Sequence, residues 1–477
     1  MSLKFPLLRI SFFSCFFTIG LSVCLTAQNS DQAYVISEIV ISGNKVTKEK
    51  TILREIEISK GDTVLFGQLE GIVKSTQNNV MNMSLFNFVE VSYRIDSAQT
   101  EGFPNIILLI DCTERWYTWP VPFAYFEERN INEWLDRRDF SRFSWGMMLN
   151  RENFRGRREQ IIAGFKTGFN DLVSVRYINP AIDKSQSIGL NVSLSYARTH
   201  NLIYQNHDNK HDLLKLDDSY AMYNRYAHLS ITKRIGIHQS FRVYGQYNHY
   251  TFADTLYALN PVFTVPQYLD LQFFTISLLY KYDFRDYIHY PLEGFFFDCE
   301  ANKTGQWLLN SEGYSTMQLK TSYRHYWKLK SRVFFAAGIY ARLRLDSQES
   351  WYFTNSMGYG NDYVRGFEQY IIDGKNYYLF KSNIKYNIIK PRVLKLGFLK
   401  TEKFNKIPYR FYLNFFADAG YAKDIYDFNY NPLGNMLLFG YGFGVDFVTY
   451  YDRAYRVEIS RNSKNEFSFA IQFTAPI

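Results

Sequence analysis

The clearest chemistry in this sequence belongs to one arginine and two aspartates in its C-terminal third. Arg365 is part of the tetrapeptide Val364-Arg365-Gly366-Phe367. A planar guanidinium can bind one carboxylate through two parallel hydrogen bonds, which fixes both distance and orientation. Gly366 lets the backbone turn where a side chain would obstruct it. These residues therefore predict a structural charge pair, and the downstream carboxylates Asp418 and Asp446 are its candidate partners.

Both aspartates fall on the inward face of predicted strands. In residues 408–420, Leu413 and Phe415 share one face, and Asp418 lies on the other because successive side chains alternate. The same alternation in residues 436–449 turns Asp446 inward. A carboxylate that faced lipid would be costly, whereas one that faces an interior can pair. We expect Arg365 to dock on Asp418, with Asp446 as the second candidate; the alternative places Arg365 on a solvated external loop.

These side chains would be positioned by a long series of strands that begins near Trp119. Many candidate strands reach the roughly 9–11 residues that a tilted strand needs to cross a bilayer. Short and long connections tend to alternate along the series, as in outer-membrane barrels, although the basic connection 391–407 breaks that rule. The sequence predicts a mainly β fold with a 16-stranded antiparallel transmembrane β-barrel. The candidate strands are 119–127, 141–150, 157–168, 171–180, 186–199, 219–234, 238–252, 268–283, 292–303, 314–329, 332–345, 376–390, 408–420, 436–449, 453–461 and 466–474.

The composition is consistent with such a barrel. Of the 477 residues, 18% are aromatic, which suits side chains at two membrane interfaces and on a lipid face. The mean hydropathy of −0.26 is too low for a helical membrane protein. The net charge is +8, but the basic residues are scattered, so nothing here predicts binding to nucleic acid.

The N-terminus resembles a secretory signal peptide, predicted as residues 1–27. Lys4 and Arg9 form a positive region, an apolar stretch follows, and Ala27 is a plausible cleavage position. A lipoprotein signal that ends at Cys24 and a buried N-terminal helix are the alternatives.

Residues 34–117 have a different organisation from the rest of the chain. The pattern predicts a strand, two helices and two further strands, an α+β order of β-α-α-β-β in a small domain. Thr47 suits the N-cap of the first helix, because its hydroxyl can accept a backbone N–H. Residues 119–477 form the second domain, the barrel.

The N-terminal segment resembles a POTRA domain, the periplasmic module of outer-membrane assembly and secretion barrels; a generic α+β domain is the alternative. The residues that carry this resemblance are Gly43, Asn44, Thr47, Ile52 to Glu55, Gly61, Asp62, Leu85, Phe86, Val89, Glu114 and Arg115.

The second domain resembles the BamA/TamA-like outer-membrane family, also called the bacterial surface antigen family. The resemblance implies that residues 364–367 lie in the sixth external loop, where they would form a lumenal latch with Asp418 or Asp446. It also implies that a periplasmic turn contains Asp283, Arg285, Asp286, Pro291 and Gly294. Further matching positions are Glu152 to Gly156, Asn179 and Pro180.

The two ends of the barrel sequence point to a seam. The last segment resembles an outer-membrane insertion signal, whose alternating apolar residues are Phe467, Phe469, Ile471 and Phe473. In this family the seam between the first and last strands is the place that opens. Pro120 and Pro122 lie in the first strand, and proline cannot donate to a strand ladder, so they would weaken closure. The alternative is a short first strand that starts after Pro122.

No enzyme, metal or cofactor signature emerges. His207 and His211 are spaced i, i+4 but lie in a polar segment without a partner glutamate, so a solvated loop is the simpler interpretation. We expect a non-enzymatic protein without cofactors.

The resemblance implies a role in assembly, insertion or translocation of outer-membrane proteins. The expected partners are the outer-membrane lipid bilayer, an unfolded or secreted client polypeptide and periplasmic accessory proteins. The expected location is the outer membrane of a Gram-negative-type bacterium, with the N-terminal domain in the periplasm. A dedicated secretion pore or solute or lipid pore of the same architecture, and a structural surface protein, are the alternatives.

Overall fold

The structure is a computed structural model of the chain. It describes the ranges 32–96, 103–126, 143–216, 218–265, 267–306, 315–345, 350–353, 355–399, 401–424, 431–449 and 453–473. The predicted signal peptide, residues 1–27, lies outside these described residues.

The first domain is a four-stranded sheet with two helices. Its elements are β1 (Ala33–Ser42), α1 (Glu49–Leu53), β2 (Thr63–Leu65), α2 (Leu69–Met81), β3 (Phe86–Asp96) and β4 (Asn105–Glu114). The sheet order is β2-β1-β4-β3, in which β1 pairs parallel to β4 and the other pairs are antiparallel. The predicted order is therefore present, with the three-residue β2 added between the helices.

The expected N-cap at Thr47 is wrong. Helix α1 begins after Lys48, and no side chain caps it. The Thr47 hydroxyl instead donates a hydrogen bond to Glu114 Oε1 at 2.7 Å, and the Thr47 backbone N–H donates to the same oxygen at 2.7 Å. The carboxylate at the end of β4 satisfies these donors, and so it ties the loop before α1 to the sheet.

The remaining strands continue the numbering in chain order. They are β5 (Thr118–Phe126), β6 (Phe143–Phe154), β7 (Glu159–Gly168), β8 (Asn170–Asn179), β9 (Ile188–Thr199), β10 (Asn201–His207), β11 (Lys210–Lys215), β12 (Met222–Ile235), β13 (Gln239–Phe252), β14 (Asp270–Asp283), β15 (Gly294–Gly305), β16 (Ser315–Lys330), β17 (Val333–Arg344), β18 (Asn355–Met357), β19 (Ile372–Asp373), β20 (Asn376–Lys395), β21 (Lys406–Lys423), β22 (Leu437–Thr449), β23 (Arg453–Asn462) and β24 (Phe467–Gln472).

Sixteen of these strands form one antiparallel sheet, which confirms the predicted count. The order runs from β24 back to β5, and β10, β11, β18 and β19 stand outside it in two two-stranded sheets. Helix α3 (Thr255–Leu259) lies in the connection after β13, and helix α4 (Glu402–Asn405) precedes β21.

The connection predicted over residues 391–407 is shorter in the structure, because strands enter it from both ends. β20 runs on to Lys395 and β21 begins at Lys406, with Lys395 paired to Lys406. Both faces of this hairpin are exposed, so apolar and polar residues do not alternate there. The sequence pattern therefore did not predict a strand.

The two faces of the sheet differ as a membrane barrel requires. The outward rows present exposed apolar side chains such as Ile339, Phe415 and Phe443. The inward rows bury polar side chains such as Asn414 and Asp446. This pattern is the reverse of a soluble sandwich, which buries its apolar face.

Among the described residues, no helix has the length and apolar character needed to cross a bilayer.

The segment around His207 and His211 is a tight hairpin and not the expected loop, although His207 and Asp208 are exposed as expected. β10 pairs with β11, and the turn residues Asp208 and Asn209 both have positive φ, at 49° and 59°. Such turns match the twist of two antiparallel strands. The hairpin packs with α3 and Trp351 in an apolar cluster at the external end of the barrel.

Candidate functional site

The loop between β17 and β20 inserts Arg365 into the barrel interior. The Arg365 Nε donates a hydrogen bond to Asp418 Oδ2 at 2.7 Å, and Nη2 donates to Asp418 Oδ1 at 2.6 Å. Both side chains are fully buried. Asp418 lies on the inward face of β21, so the structure places Arg365 on the first of its two candidate partners. The solvated position for Arg365 does not occur.

The remaining donors of Arg365 are also satisfied. Nη1 donates to Asn383 Oδ1 at 2.7 Å, and Nη2 donates to the Ser382 carbonyl at 3.1 Å. The guanidinium lies over the Phe416 ring, 3.9 Å from its centroid, in a cation–π contact. A buried arginine whose donors are occupied on several sides is held in one orientation.

Glycines in the barrel wall make room for the loop. A Cβ at Gly440 of β22 would lie 1.8 Å from the Arg365 carbonyl oxygen, and one at Gly420 of β21 would lie 2.5 Å from Val364. Gly366 itself has φ +95°, a conformation that other residues rarely adopt. The wall of β21 and β22 and the tetrapeptide are therefore shaped to fit one another.

Asp446 binds a different arginine, one that the sequence analysis did not single out. Arg456 of β23 donates from Nη2 to Asp446 Oδ2 at 2.6 Å. Glu458, two residues further along the same face, lies between the two arginines. Its Oε1 is 3.6 Å from Arg365 Nη1 and 3.4 Å from Arg456 Nη1. One carboxylate thus connects the two ion pairs.

A periplasmic turn also contacts these buried ion pairs, from the end of the barrel opposite the external loop. The turn between β14 and β15 buries Tyr290, whose hydroxyl donates to Asp446 Oδ2 at 2.6 Å. The Tyr290 ring packs against Tyr412 of β21, with the ring centroids 5.1 Å apart. Lys385 Nζ lies 4.3 Å from the Tyr290 ring centroid. The interior polar chain therefore runs from the external loop, through Glu458, to this turn.

The five predicted turn residues shape that turn. Arg285 donates two hydrogen bonds to the Asp283 carboxylate, of 2.7 and 2.6 Å. Asp286 Oδ1 accepts the backbone N–H groups of Leu292 and Glu293, so it closes the segment that contains Pro291. Gly294 has φ +97°, and a Cβ there would lie 1.9 Å from the Phe284 carbonyl oxygen.

A second buried carboxylate holds the external end together. Asp373 accepts hydrogen bonds from Asn206 of β10, at 2.8 Å, and from Asn431, at 3.0 Å. Trp351 Nε1 and the Tyr359 hydroxyl donate to it as well. Burial raises the pKa of Asp373 above its usual range. The loop that carries Arg365 is therefore anchored both in the interior and among the external segments.

A buried carboxylate of the first domain binds two arginines at the periplasmic end of the barrel. Glu55 accepts two hydrogen bonds from Arg234, each of 2.8 Å, and lies 3.4 Å from Arg158. Burial by itself raises the pKa of Glu55, but the hydrogen bonds from Arg234 and the charges of Arg158, Arg234 and Arg54 outweigh it. The net effect lowers the pKa to about 2.

The end of α2 touches the turn that carries Tyr290. Asn82 Nδ2 donates to the Asp286 carbonyl at 3.2 Å, and its Oδ1 accepts the Ile288 N–H at 2.9 Å. The Ser84 hydroxyl lies 2.8 Å from His289 Nε2. The pKa of His289 is lowered to about 4. Burial is the main cause, and the positive charges of nearby arginines lower the pKa further. This interface links the first domain to the barrel interior.

The seam lies between the two ends of the sheet order, β24 and β5. No strand pairing between these two strands occurs among the described residues. β5 begins at Thr118 and is paired with β6 through Pro120 and Pro122, so the short first strand does not occur. The apolar residues of the C-terminal signal, Phe467, Phe469, Ile471 and Phe473, are exposed on the outer face.

A cavity of about 1210 Å³ lies at the periplasmic end of this seam. Its walls come from the first domain, the Tyr290 turn, strands β5 to β8, strands β22 and β23, and the residue that follows β24. Representative lining residues are Val121, Tyr455, Phe473, Leu85 and His289. The cavity brings the first domain and both sides of the seam to one place.

Sequence reasoning missed Arg456, Glu458 and Tyr290. Alternation along β23 places Arg456 and Glu458 on one face, and the same inward-facing argument used for Asp446 could have found them. Tyr290 carried no comparable signal, because nothing in a turn sequence shows that a side chain will enter the barrel.

Among known protein families, a family model matches the first domain. Residues 34–115 match the family model described as POTRA, surface antigen variable number repeat. No curated protein matches the chain.

Several solved structures are similar to the chain at low identity. BamA from Haemophilus ducreyi lacking POTRA domains 1–3 is 13% identical, with a TM-score of 0.48, and the match covers 93% of this chain and 84% of that one. CdiB from Acinetobacter baumannii is 11% identical, with a TM-score of 0.45 and coverages of 93% and 74%. CdiB from Escherichia coli is 10% identical, with a TM-score of 0.45 and coverages of 95% and 91%. Likeness at this level carries no argument about function.

The POTRA match over residues 34–115 and the 16-stranded antiparallel sheet agree with the predicted folds of the two domains. The chain is a 16-stranded β-barrel with an apolar outer face, preceded by a domain that matches the POTRA model. Its exposed apolar outer rows are the surface that meets the lipid.

Replacing Arg365 with alanine should release the loop. The change leaves Asp418 buried without its partner, which costs about 3–5 kcal/mol. We expect protease cleavage within residues 355–373 and a lower temperature of barrel unfolding in a gel-mobility assay. Arg365→Lys should behave similarly, because an ammonium cannot form the two parallel bonds. Arg225→Ala, an exposed arginine bonded to His249, is the control and should resemble the wild type. Unchanged cleavage in Arg365→Ala would contradict the docking.

Domain docking should weaken in acid. The docked Glu55 has a pKa of about 2 against an ordinary 4.5, so its contribution of about 3 kcal/mol is complete above pH 4.5 and declines as the pH falls toward 2. Spin-label distances between the POTRA domain and the barrel should show one population above that range and a second below it.

The variant Glu55→Gln should show the second population at every pH, whereas Glu49→Gln, at an exposed position on α1, should follow the wild type. If Glu55→Gln retained the wild-type pH dependence, Glu55 would not be the group responsible.

Proposed function

We propose that this protein assembles or translocates outer-membrane proteins, and that its clients pass from the POTRA domain to the barrel seam. In this proposal residues 34–117 receive the client, residues 119–477 form the barrel, and the pairing of Arg365 with Asp418 is a lumenal latch. The client is an unfolded polypeptide, and periplasmic accessory proteins are further partners.

The observation that carries the proposal is the seam between β5 and β24 with the cavity beneath it. A sheet edge offers backbone N–H and C=O groups to an incoming strand, which can bind by β-augmentation. The cavity adjoins both edge strands and the POTRA residues Met83 to Leu85. A client strand delivered there would meet the sheet edge without crossing the barrel interior.

The interior contacts favour a lateral route over a central pore. The external loop, held by Arg365, and the turn that carries Tyr290 enter the interior from opposite ends and share one polar network. A central route would have to break these buried charge contacts, whereas a lateral route leaves them in place. Nucleotide is not required, because transfer of apolar strands into lipid is itself favourable.

Site-specific photocrosslinking tests the route. A photoreactive residue at Val121 or Phe473, on the two sides of the seam, should capture outer-membrane proteins during their synthesis. The same residue at Leu278, an exposed outward position on β14 away from the seam, is the matched control and should capture none.

Depletion of the protein, followed by outer-membrane proteomics, separates the candidate roles. Loss of many barrel proteins supports assembly, and loss of one secreted product supports dedicated translocation. Seam crosslinks no stronger than those at Leu278, together with an unchanged outer-membrane proteome, would overturn the proposal in favour of a structural surface protein.

A further inference from the structure

The hairpin of β20 and β21 extends beyond the neighbouring strands at the periplasmic rim. β17 stops pairing with β20 at Tyr386, and β22 stops pairing with β21 at Arg410. The strand segments 388–395 and 406–408 therefore continue as a two-stranded ribbon, and residues 388–408 are named the rim hairpin. From Ile388 to Lys395 the strand spans about 23 Å, at about 3.3 Å per residue.

The rim hairpin combines cations with exposed apolar side chains. Its sequence contains six basic residues and one acidic residue, Glu402. Lys390, Arg392 and Lys395 are all exposed. Val393 and Leu394 are about half exposed, and Phe398 is 78% exposed, the highest value among the large apolar side chains that the structure describes.

The hairpin lies next to the lipid-facing surface. The outward row of β20 includes the exposed residues Phe380, Ile384, Tyr386 and Ile388, and the rim hairpin begins where this row ends. The pairing register shifts after Asn387 and after Ile389, and such irregularities bend a strand, so the ribbon changes direction at this point. Its apolar side chains are thus continuous with the surface that meets the lipid.

We propose that the rim hairpin binds anionic phospholipid headgroups of the periplasmic leaflet, with Val393, Leu394 and Phe398 in the interfacial layer. Apolar side chains flanked by lysine and arginine are the composition that binds such an interface. The long basic side chains can cover apolar surface while their charges reach the phosphates. On its other side the hairpin touches the POTRA domain, where Lys406 Nζ lies 5.9 Å from the Phe88 ring centroid.

This surface gives the POTRA domain a second connection to the membrane, besides its contacts with the turns. Helix α4, at the base of β21, packs near β4 of the POTRA domain. Lipid bound along the rim hairpin would fix the height of this side of the domain relative to the bilayer. A polypeptide partner is the rival occupant.

The test places an environment-sensitive fluorescent amino acid at position 398 of the full-length protein in nanodiscs. The discs contain zwitterionic phosphatidylcholine with or without phosphatidylglycerol, and either lipid can carry bromine as a quencher. We expect brominated phosphatidylglycerol to quench the probe about fivefold more than equal brominated phosphatidylcholine. The same probe at Phe103, an exposed apolar position of the POTRA domain, is the control and should remain unquenched.

The combined variant Lys390→Gln, Arg392→Gln and Lys395→Gln should abolish the preference for the anionic lipid. Exposed charges on a projecting hairpin do not support the barrel fold, so heat stability should not change. Water-like emission at position 398 would overturn the proposal, as would equal quenching by the two lipids. A probe that is shielded equally in detergent and in lipid would show that protein covers the hairpin, and it would overturn the proposal as well.

Discussion

The buried pair of Arg365 and Asp418 is the interaction on which the interior arrangement depends. Neither side chain has contact with water, and each would be costly to bury alone. The pair is tolerated because every arm of the guanidinium has a partner and the Phe416 ring covers its face. Such a pair contributes more to a unique position of the loop than to net stability, since a hydrophobic replacement could be as stable.

Through Glu458, this pair becomes part of a connection that runs the length of the interior. Arg365 and Arg456 share that carboxylate, Arg456 holds Asp446, and Asp446 accepts the hydroxyl of Tyr290. The turn that carries Tyr290 is also hydrogen-bonded to Asn82 of the POTRA domain. The external loop and the periplasmic domain are thus joined by adjacent polar contacts.

The strands could be predicted from the sequence because period-two alternation dictates which face each residue occupies. The inward orientation of Asp418 follows from the same alternation, and the geometry of a guanidinium predicts a carboxylate partner. That argument applies equally to Asp446, so the pairing with Asp418 required the structure. The long hairpin of β20 and β21 escaped prediction because both of its faces are exposed, so no alternation marks them. Thr47 was misplaced because Glu114, far away in sequence, competes for its hydroxyl. Tyr290 depends on how a turn folds back into the barrel, which local sequence does not encode.

The pairing of Arg365 with Asp418 can be measured most directly by a double-mutant cycle. The free energy of unfolding in lipid vesicles would be determined for the wild type, Arg365→Ala, Asp418→Ala and the double variant. Because the charges are close and fully desolvated, we predict a coupling energy of at least about 1.5 kcal/mol. Effects that add within about 0.5 kcal/mol would mean that the two residues act independently, and they would contradict the account.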